Sequence, residues 1–156
     1  MIKFVQILFI IHEINLYILI KKLLKLELDF SFILIALTSQ LKDYRLCFVI
    51  NKFTESDFRK TEDLSLTLKN EPEKFFSRYF YTPINSEYEL FIIANKGTDG
   101  YLIPEAKEAD YFLIIKEFID DEDLDLLISQ IKQINDIQAV VDLNPKKLKS
   151  KENLLF

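Results

Sequence analysis

Two short stretches of the chain carry side chains that could act together. Asp43, Tyr44 and Arg45 follow one another, and Glu105, Asp110 and Tyr111 fall close together further on. An arginine beside a carboxylate and a phenol can clamp an anion or a carboxylate, because its guanidinium offers two parallel N–H donors. Paired carboxylates such as Glu105 and Asp110 can divide the roles of general acid and general base. If Asp43, Arg45, Glu105 and Asp110 converge in one pocket, the chain binds or transforms a small ligand there. The plainer reading gives the same residues structural work. Asp43 favours a helix N-terminus, Tyr44 packs, Arg45 pairs with Glu105 or Asp110, and Asp110 caps backbone N–H groups before a strand. This plainer reading is preferred, since neither a nucleophile nor an electrophile accompanies the carboxylates.

A third stretch, Phe75-Phe76-Ser77-Arg78-Tyr79-Phe80-Tyr81, sets aromatic rings beside a cation. Bases of single-stranded nucleic acid stack on such platforms. Strand alternation places Phe75, Ser77, Tyr79 and Tyr81 on one face, read here as the wetter one. Tyr79 and Tyr81 on that face suit contact with a protein better than with RNA, because the chain is acidic.

Other chemistries fall away on residue type alone. Cys47 is the single cysteine and His12 the single histidine, so one chain holds no disulfide, no thiolate zinc site and no two-histidine metal site. Gly97 and Gly100 are the two glycines, too few for a phosphate-cradling loop. The acidic run from Asp120 to Asp125 lacks the glycine and the terminal glutamate of a calcium loop and reads as a helix start. No metal and no cofactor are expected.

A length of 156 residues, an apolar fraction of 49% and a charged fraction of 29% describe one ordinary globular domain. The excess of Lys over Arg and the many Ile and Phe residues match an AT-rich codon bias and carry no argument for a membrane. The net charge of −5 is concentrated in residues 102–142, which hold 3 basic against 11 acidic side chains. An acidic domain gains little from phosphate neutralisation, which disfavours nucleic acid as a partner. Lys146, Lys147, Lys149 and Lys151 make residues 144–156 a basic tail, read as a frayed end.

The start of the chain is apolar from Phe4 to Ile20 and flanked by Lys3 and Lys21-Lys22. His12, Glu13 and Asn15 interrupt it, and one charge at a bilayer centre costs about 2.5–3.5 kcal/mol. A membrane segment over residues 4–20 is therefore disfavoured, and residues 1–22 read as an extension ahead of the domain.

The elements that position the candidates follow from periodicity. Leu24, Leu26 and Leu28 alternate with charged residues and predict a strand, and the unbroken run Phe32–Leu37 predicts a strand covered on both faces. Ser39 is the expected N-cap of a helix over Gln40–Phe53, with Leu46, Val49, Ile50 and Phe53 forming its stripe. Strands are expected at Leu64–Leu68, Phe75–Tyr81, Tyr88–Ala94, Tyr101–Ile103, Tyr111–Ile115 and Ile137–Leu143. Asn95–Gly100 forms a turn that uses both glycines for positive φ. Asp120 caps a second helix, with Leu124, Leu127, Ile128, Ile131 and Ile134 on one face. Connections this short predict an α+β fold: a single domain over residues 23–143, mainly an antiparallel sheet with two helices packed on one side.

Ile103-Pro104-Glu105-Ala106-Lys107-Glu108-Ala109-Asp110-Tyr111 resembles the signature of the bacterial IPExxxVDY family of the Bacteroidetes, with Ala109 where the family has valine. Leu41-Lys42-Asp43-Tyr44-Arg45-Leu46-Cys47 and Ile50-Asn51-Lys52 resemble its earlier block. The resemblance spans roughly Leu23–Val141 and implies an intracellular, cytoplasmic bacterial protein, with no activity, cofactor or site to carry over. The resulting expectation is a small non-catalytic module that meets a protein partner, itself or another. The alternative is a small-molecule or anion binder, or an enzyme, built on Asp43, Arg45, Glu105 and Asp110. RNA association or membrane anchoring ranks below both.

Overall fold

A computed structural model describes residues 2–156, with the side chains of residue 2 and residues 25–29 outside the described set. The chain forms two units, one ending at Ser31 and one spanning Phe32–Phe156.

The first unit is a single 28-residue helix, α1 (Ile2–Asp29). The strand expected over Leu24, Leu26 and Leu28 does not form, because the backbone there continues α1. Leu, Lys and Glu are strong helix formers, and extending an existing helix costs no new nucleus. Phe4, Phe9, Tyr17 and Leu24 are among the many large apolar side chains of α1 exposed on all its sides. Among the described residues no helix is long and apolar enough to cross a membrane.

The second unit is the α+β domain. Its strands are β1 (Ile33–Thr38), β2 (Arg59–Lys60), β3 (Leu64–Leu66), β4 (Lys74–Phe76), β5 (Arg78–Tyr81), β6 (Glu89–Ala94), β7 (Lys96–Gly97), β8 (Gly100–Tyr101), β9 (Tyr111–Lys116) and β10 (Ala139–Leu143). Six of them form an antiparallel sheet in the order β10-β1-β9-β6-β5-β2, while β3 pairs with β4 and β7 with β8. The apolar runs Ile33–Leu37 and Tyr111–Ile115 lie side by side in the middle of that sheet, where both faces are buried.

One face carries both helices, α2 (Asp43–Thr54) and α3 (Asp121–Lys132). Leu46, Cys47 and Ile50 of α2, with Ile131 of α3 and Ile134 just beyond it, close over Ile35, Leu37, Leu90, Ile92, Leu113 and Ile115. The stripe of α2 is therefore turned from the expected one: Cys47 is buried, while Phe53 is exposed. Asp120 caps α3 as expected, accepting the Asp123 N–H at 2.8 Å, and the acidic first turn suits the helix dipole.

The opposite parity, Leu34, Ile93, Phe112 and Ile114, faces away from α2 and α3 and is equally buried. Its cover includes the end of the chain. The Phe156 ring packs edge-on against Phe91 at 5.2 Å, Lys116 Nζ donates to the Phe156 carbonyl at 2.7 Å, and Asn153 Nδ2 donates to the Leu102 carbonyl at 2.8 Å. Leu154 is fully buried. Residues 144–156 thus contain two 3₁₀ turns, Pro145–Lys147 and Lys151–Leu154, and are not a frayed end.

The glycine turn divides its work differently from the expectation. Only Gly100 has positive φ, at 108°. Gly97 serves close approach, since a Cβ there would stand 2.6 Å from the Phe75 carbonyl oxygen and 2.6 Å from the Phe76 ring.

Candidate functional site

The ends of β1, β6 and β9 meet the start of α2 at an open groove of about 610 Å³. Ser39, Gln40, Leu41, Lys42, Asp43, Ser77, Ala94, Lys96, Gly97, Asp110 and Tyr111 line it. The segment between β1 and α2 is pinned at each step. Ser39 N–H donates to Asp110 Oδ2 at 2.8 Å, the Ser39 hydroxyl donates to the Asp136 carbonyl at 2.7 Å, and Tyr111 OH donates to the Leu41 carbonyl at 2.5 Å. Because the Ser39 side chain is engaged in this way, it does not cap the helix. The helix begins at Asp43, later than expected, and Lys42 stands at the N-cap without a side-chain cap bond.

Asp43 sits where the helix meets the aromatic strand. Its carboxylate accepts from the Ser77 hydroxyl and, at 3.4 Å, from Tyr79 OH. Partial burial raises its pKa, but the Ser77 hydroxyl, the Tyr44 N–H, the Tyr79 hydroxyl and the charge of Lys60 more than offset this, leaving it below the ordinary aspartate value. The neighbouring acids are held protonated. Burial and then the Asp43 charge push Cys47 up to about 12 and Tyr111 up to about 12, and Tyr79 rises for the same two leading reasons. None of the three is an available nucleophile at neutral pH.

The groove joins only part of the candidate set. Asp43, Asp110 and Tyr111 line it together. Glu105 faces the C-terminal segment instead, accepting Ser150 N–H at 2.6 Å and the Ser150 hydroxyl at 2.9 Å. Desolvation is the largest single influence on Glu105 and acts upward, but the two Ser150 bonds together with the backbone N–H groups of Glu105 and Lys149 outweigh it and leave the carboxyl below the usual glutamate value. Arg45 is exposed on α2 and pairs with neither Glu105 nor Asp110; ion pairs among the described residues include Asp57–Arg59, Lys60–Asp63 and Glu71–Lys74. Tyr44 does not pack but stands 62% exposed.

Tyr79 and Tyr81 do not form a wet face. Tyr79 is buried in the core beneath the helices, and Tyr81 packs against the Phe58 ring at 5.5 Å. The expected strand over Phe75–Tyr81 breaks at Ser77, so that Lys74–Phe76 pairs with β3 while Arg78–Tyr81 pairs with β2 and β6. Ser77, Tyr79 and Tyr81 share one parity, and it faces the helix layer, where Ser77 and Tyr79 both donate to Asp43.

Several organising residues were not singled out by residue type. Asn95 is fully buried and bonds three ways, from Nδ2 to the Ala106 and Ala109 carbonyls at 2.8 Å each and from the Ile103 N–H to its Oδ1 at 2.9 Å. It shapes the loop that carries Glu105 and Asp110. Asn51 does the same after α2, accepting the Phe58 N–H at 2.8 Å and donating to its carbonyl at 3.1 Å. The visible signal for Asn95 was an amide at the end of an apolar strand just before a glycine turn. Among the described residues no group of three or more His, Cys, Asp or Glu is placed to hold a metal ion. Comparison with protein-family models, with curated proteins and with solved structures finds no match to this chain.

Proposed function

We propose that the domain over Phe32–Phe156 is a small non-catalytic protein-interaction module of the bacterial cytoplasm, related to the IPExxxVDY family. The observation that carries this reading is the outward side of α2. Tyr44 and Phe48, one helical turn apart, are 62% and 67% exposed, and Arg45 and Lys52 flank them. Aromatic rings beside arginine are the side chains that anchor protein interfaces. The groove supports the same reading from the other side. Asp110 and Tyr111 hold the β1–α2 connection against the start of β9, and Asp43 ties α2 to Ser77 at the β4–β5 junction. The two blocks behind the family resemblance adjoin there through Tyr111 on Leu41, with Asp110 on Ser39 just ahead of the first block.

The test is a photo-cross-linking residue at position 48, introduced in living cells, with Tyr44→Ala as the competitor variant. A discrete cross-linked protein band that Tyr44→Ala weakens is expected. Absence of any band, with the folded protein abundant, refutes the module.

A second reading rests on Lys42 and Lys96, which both line the groove beside the start of α2. They would favour a small anionic ligand, with Asp43 and Asp110 as polar neighbours and Arg45 and Glu105 outside the site. A rise in melting temperature with inorganic phosphate or a dicarboxylate, abolished by Lys42→Ala with Lys96→Ala, supports it. An unchanged melting temperature removes it.

A further inference from the structure

The helix layer carries two surfaces of opposite character. On α2 the outward arc holds Tyr44, Arg45, Phe48 and Lys52, aromatic and basic. On α3 the outward arc holds Leu126, 56% exposed, beside Glu122 and Asp125. Helical spacing places each set on one face: residues 44, 48 and 52 lie four apart, as do 122 and 126, with 125 beside them. Because α2 and α3 pack side by side over the same sheet face, these two arcs form adjoining halves of one surface. Within one chain the charges do not neutralise each other, since among the described residues no ion pair joins Arg45 or Lys52 to a carboxylate of α3.

From this arrangement we infer that the partner of the helix layer is a second copy of this chain, packed about a two-fold axis that sets α2 of each protomer on α3 of the other. The inference rests on the interaction reading above and names its partner. A two-fold axis makes any contact occur twice, so a surface that is basic and aromatic on one half and acidic and apolar on the other complements itself. Phe48 and Tyr44 meet Leu126, while Arg45 and Lys52 meet Glu122 and Asp125. The alternative pairing, α2 on α2, sets Arg45 and Lys52 against their own copies and is repelled. Charge therefore selects both the partner and the orientation.

The full chain is examined by sedimentation equilibrium, with circular dichroism to verify folding. A species of twice the 18.5 kDa chain mass is expected, with a dissociation constant that rises several-fold as salt increases from about 50 to about 500 mM. Two charge-reversed proteins decide the geometry. Arg45→Glu with Lys52→Glu makes both halves acidic, and Glu122→Lys with Asp125→Lys makes both basic. Each alone should dimerise at least about tenfold more weakly than the parent, and an equimolar mixture should recover a heterodimer. A parent that stays monomeric at about 100 μM overturns the inference. Association indifferent to both reversals overturns it too, and places the contact elsewhere, such as the exposed apolar side chains of α1. So does a mixture of folded variants that fails to pair. If the chain is monomeric but position 48 still cross-links to another protein, the self-pairing falls while the interaction reading stands. If neither occurs, both fall.

Discussion

Asn95→Ala is the substitution expected to do most damage for its size. The side chain is fully buried and makes three hydrogen bonds, all to the backbone of residues 103–109. Removing it does not orphan all three partners equally. The Ala106 carbonyl keeps the Ala109 N–H at 3.1 Å, whereas the buried Ile103 N–H and Ala109 carbonyl lose their side-chain partner. An unsatisfied buried group costs about 1–3 kcal/mol, so two cost roughly 2–6, and a water entering the vacated space recovers part of that. The expected loss is about 3 kcal/mol, a large share of the ~5–15 kcal/mol that holds a domain together. Urea unfolding followed by circular dichroism reads the loss, and hydrogen exchange should show protection falling first across residues 102–110. Asn95→Asp keeps the shape but sets a carboxylate oxygen against two carbonyls, so it should be no milder at pH 7. Its deficit should grow as pH rises above about 4, because the folded state resists ionising that acid. A cost below about 1 kcal/mol for Asn95→Ala would refute the argument that this amide organises the loop.

Three further outcomes test the arrangement described. Tyr79→Ala should destabilise by about 3–5 kcal/mol, as a buried aromatic does, while Tyr81→Ala at the margin costs less; equal and small effects on denaturation midpoint would return Tyr79 to the surface. Leu154→Ala should cost about 2–5 kcal/mol by opening the second face of the sheet, and an unchanged melting temperature would show the C-terminal segment to be dispensable. Asp43 and Glu105 both have depressed folded pKa values, so their stabilisation is present above their ordinary values of 3.8 and 4.5 and is lost as pH falls through the folded ones. Asp43→Asn should therefore lower stability at neutral pH and flatten its fall below pH 4, measured as urea midpoint against pH; a parallel curve would remove Asp43 from acid unfolding.

Local pattern determined a good deal of this protein. The unbroken apolar runs became the paired strands β1 and β9 at the sheet centre, and Asp120 ahead of an acidic turn became the cap of α3. These features are legible because burial on both faces and helix capping are written in neighbouring residues. Tertiary structure decided the rest. Nothing local distinguishes Ser77 as the point where one aromatic run divides between two sheets, and nothing local tells that the parity of Tyr79 and Tyr81 is the one under the helix layer. The lysine-rich end reads as loose because its charges dominate the pattern, while the few residues that matter, Leu154 and Phe156, find their partners far away in sequence. Asn95 and Asn51 look like ordinary turn residues until the distant backbone they satisfy is in place. The alternation at Leu24–Leu28 yielded to the helix already running into it. Periodicity reports which face of an element is apolar; what covers that face, and which polar group must be satisfied beneath the cover, depends on contacts between segments that the linear order keeps apart.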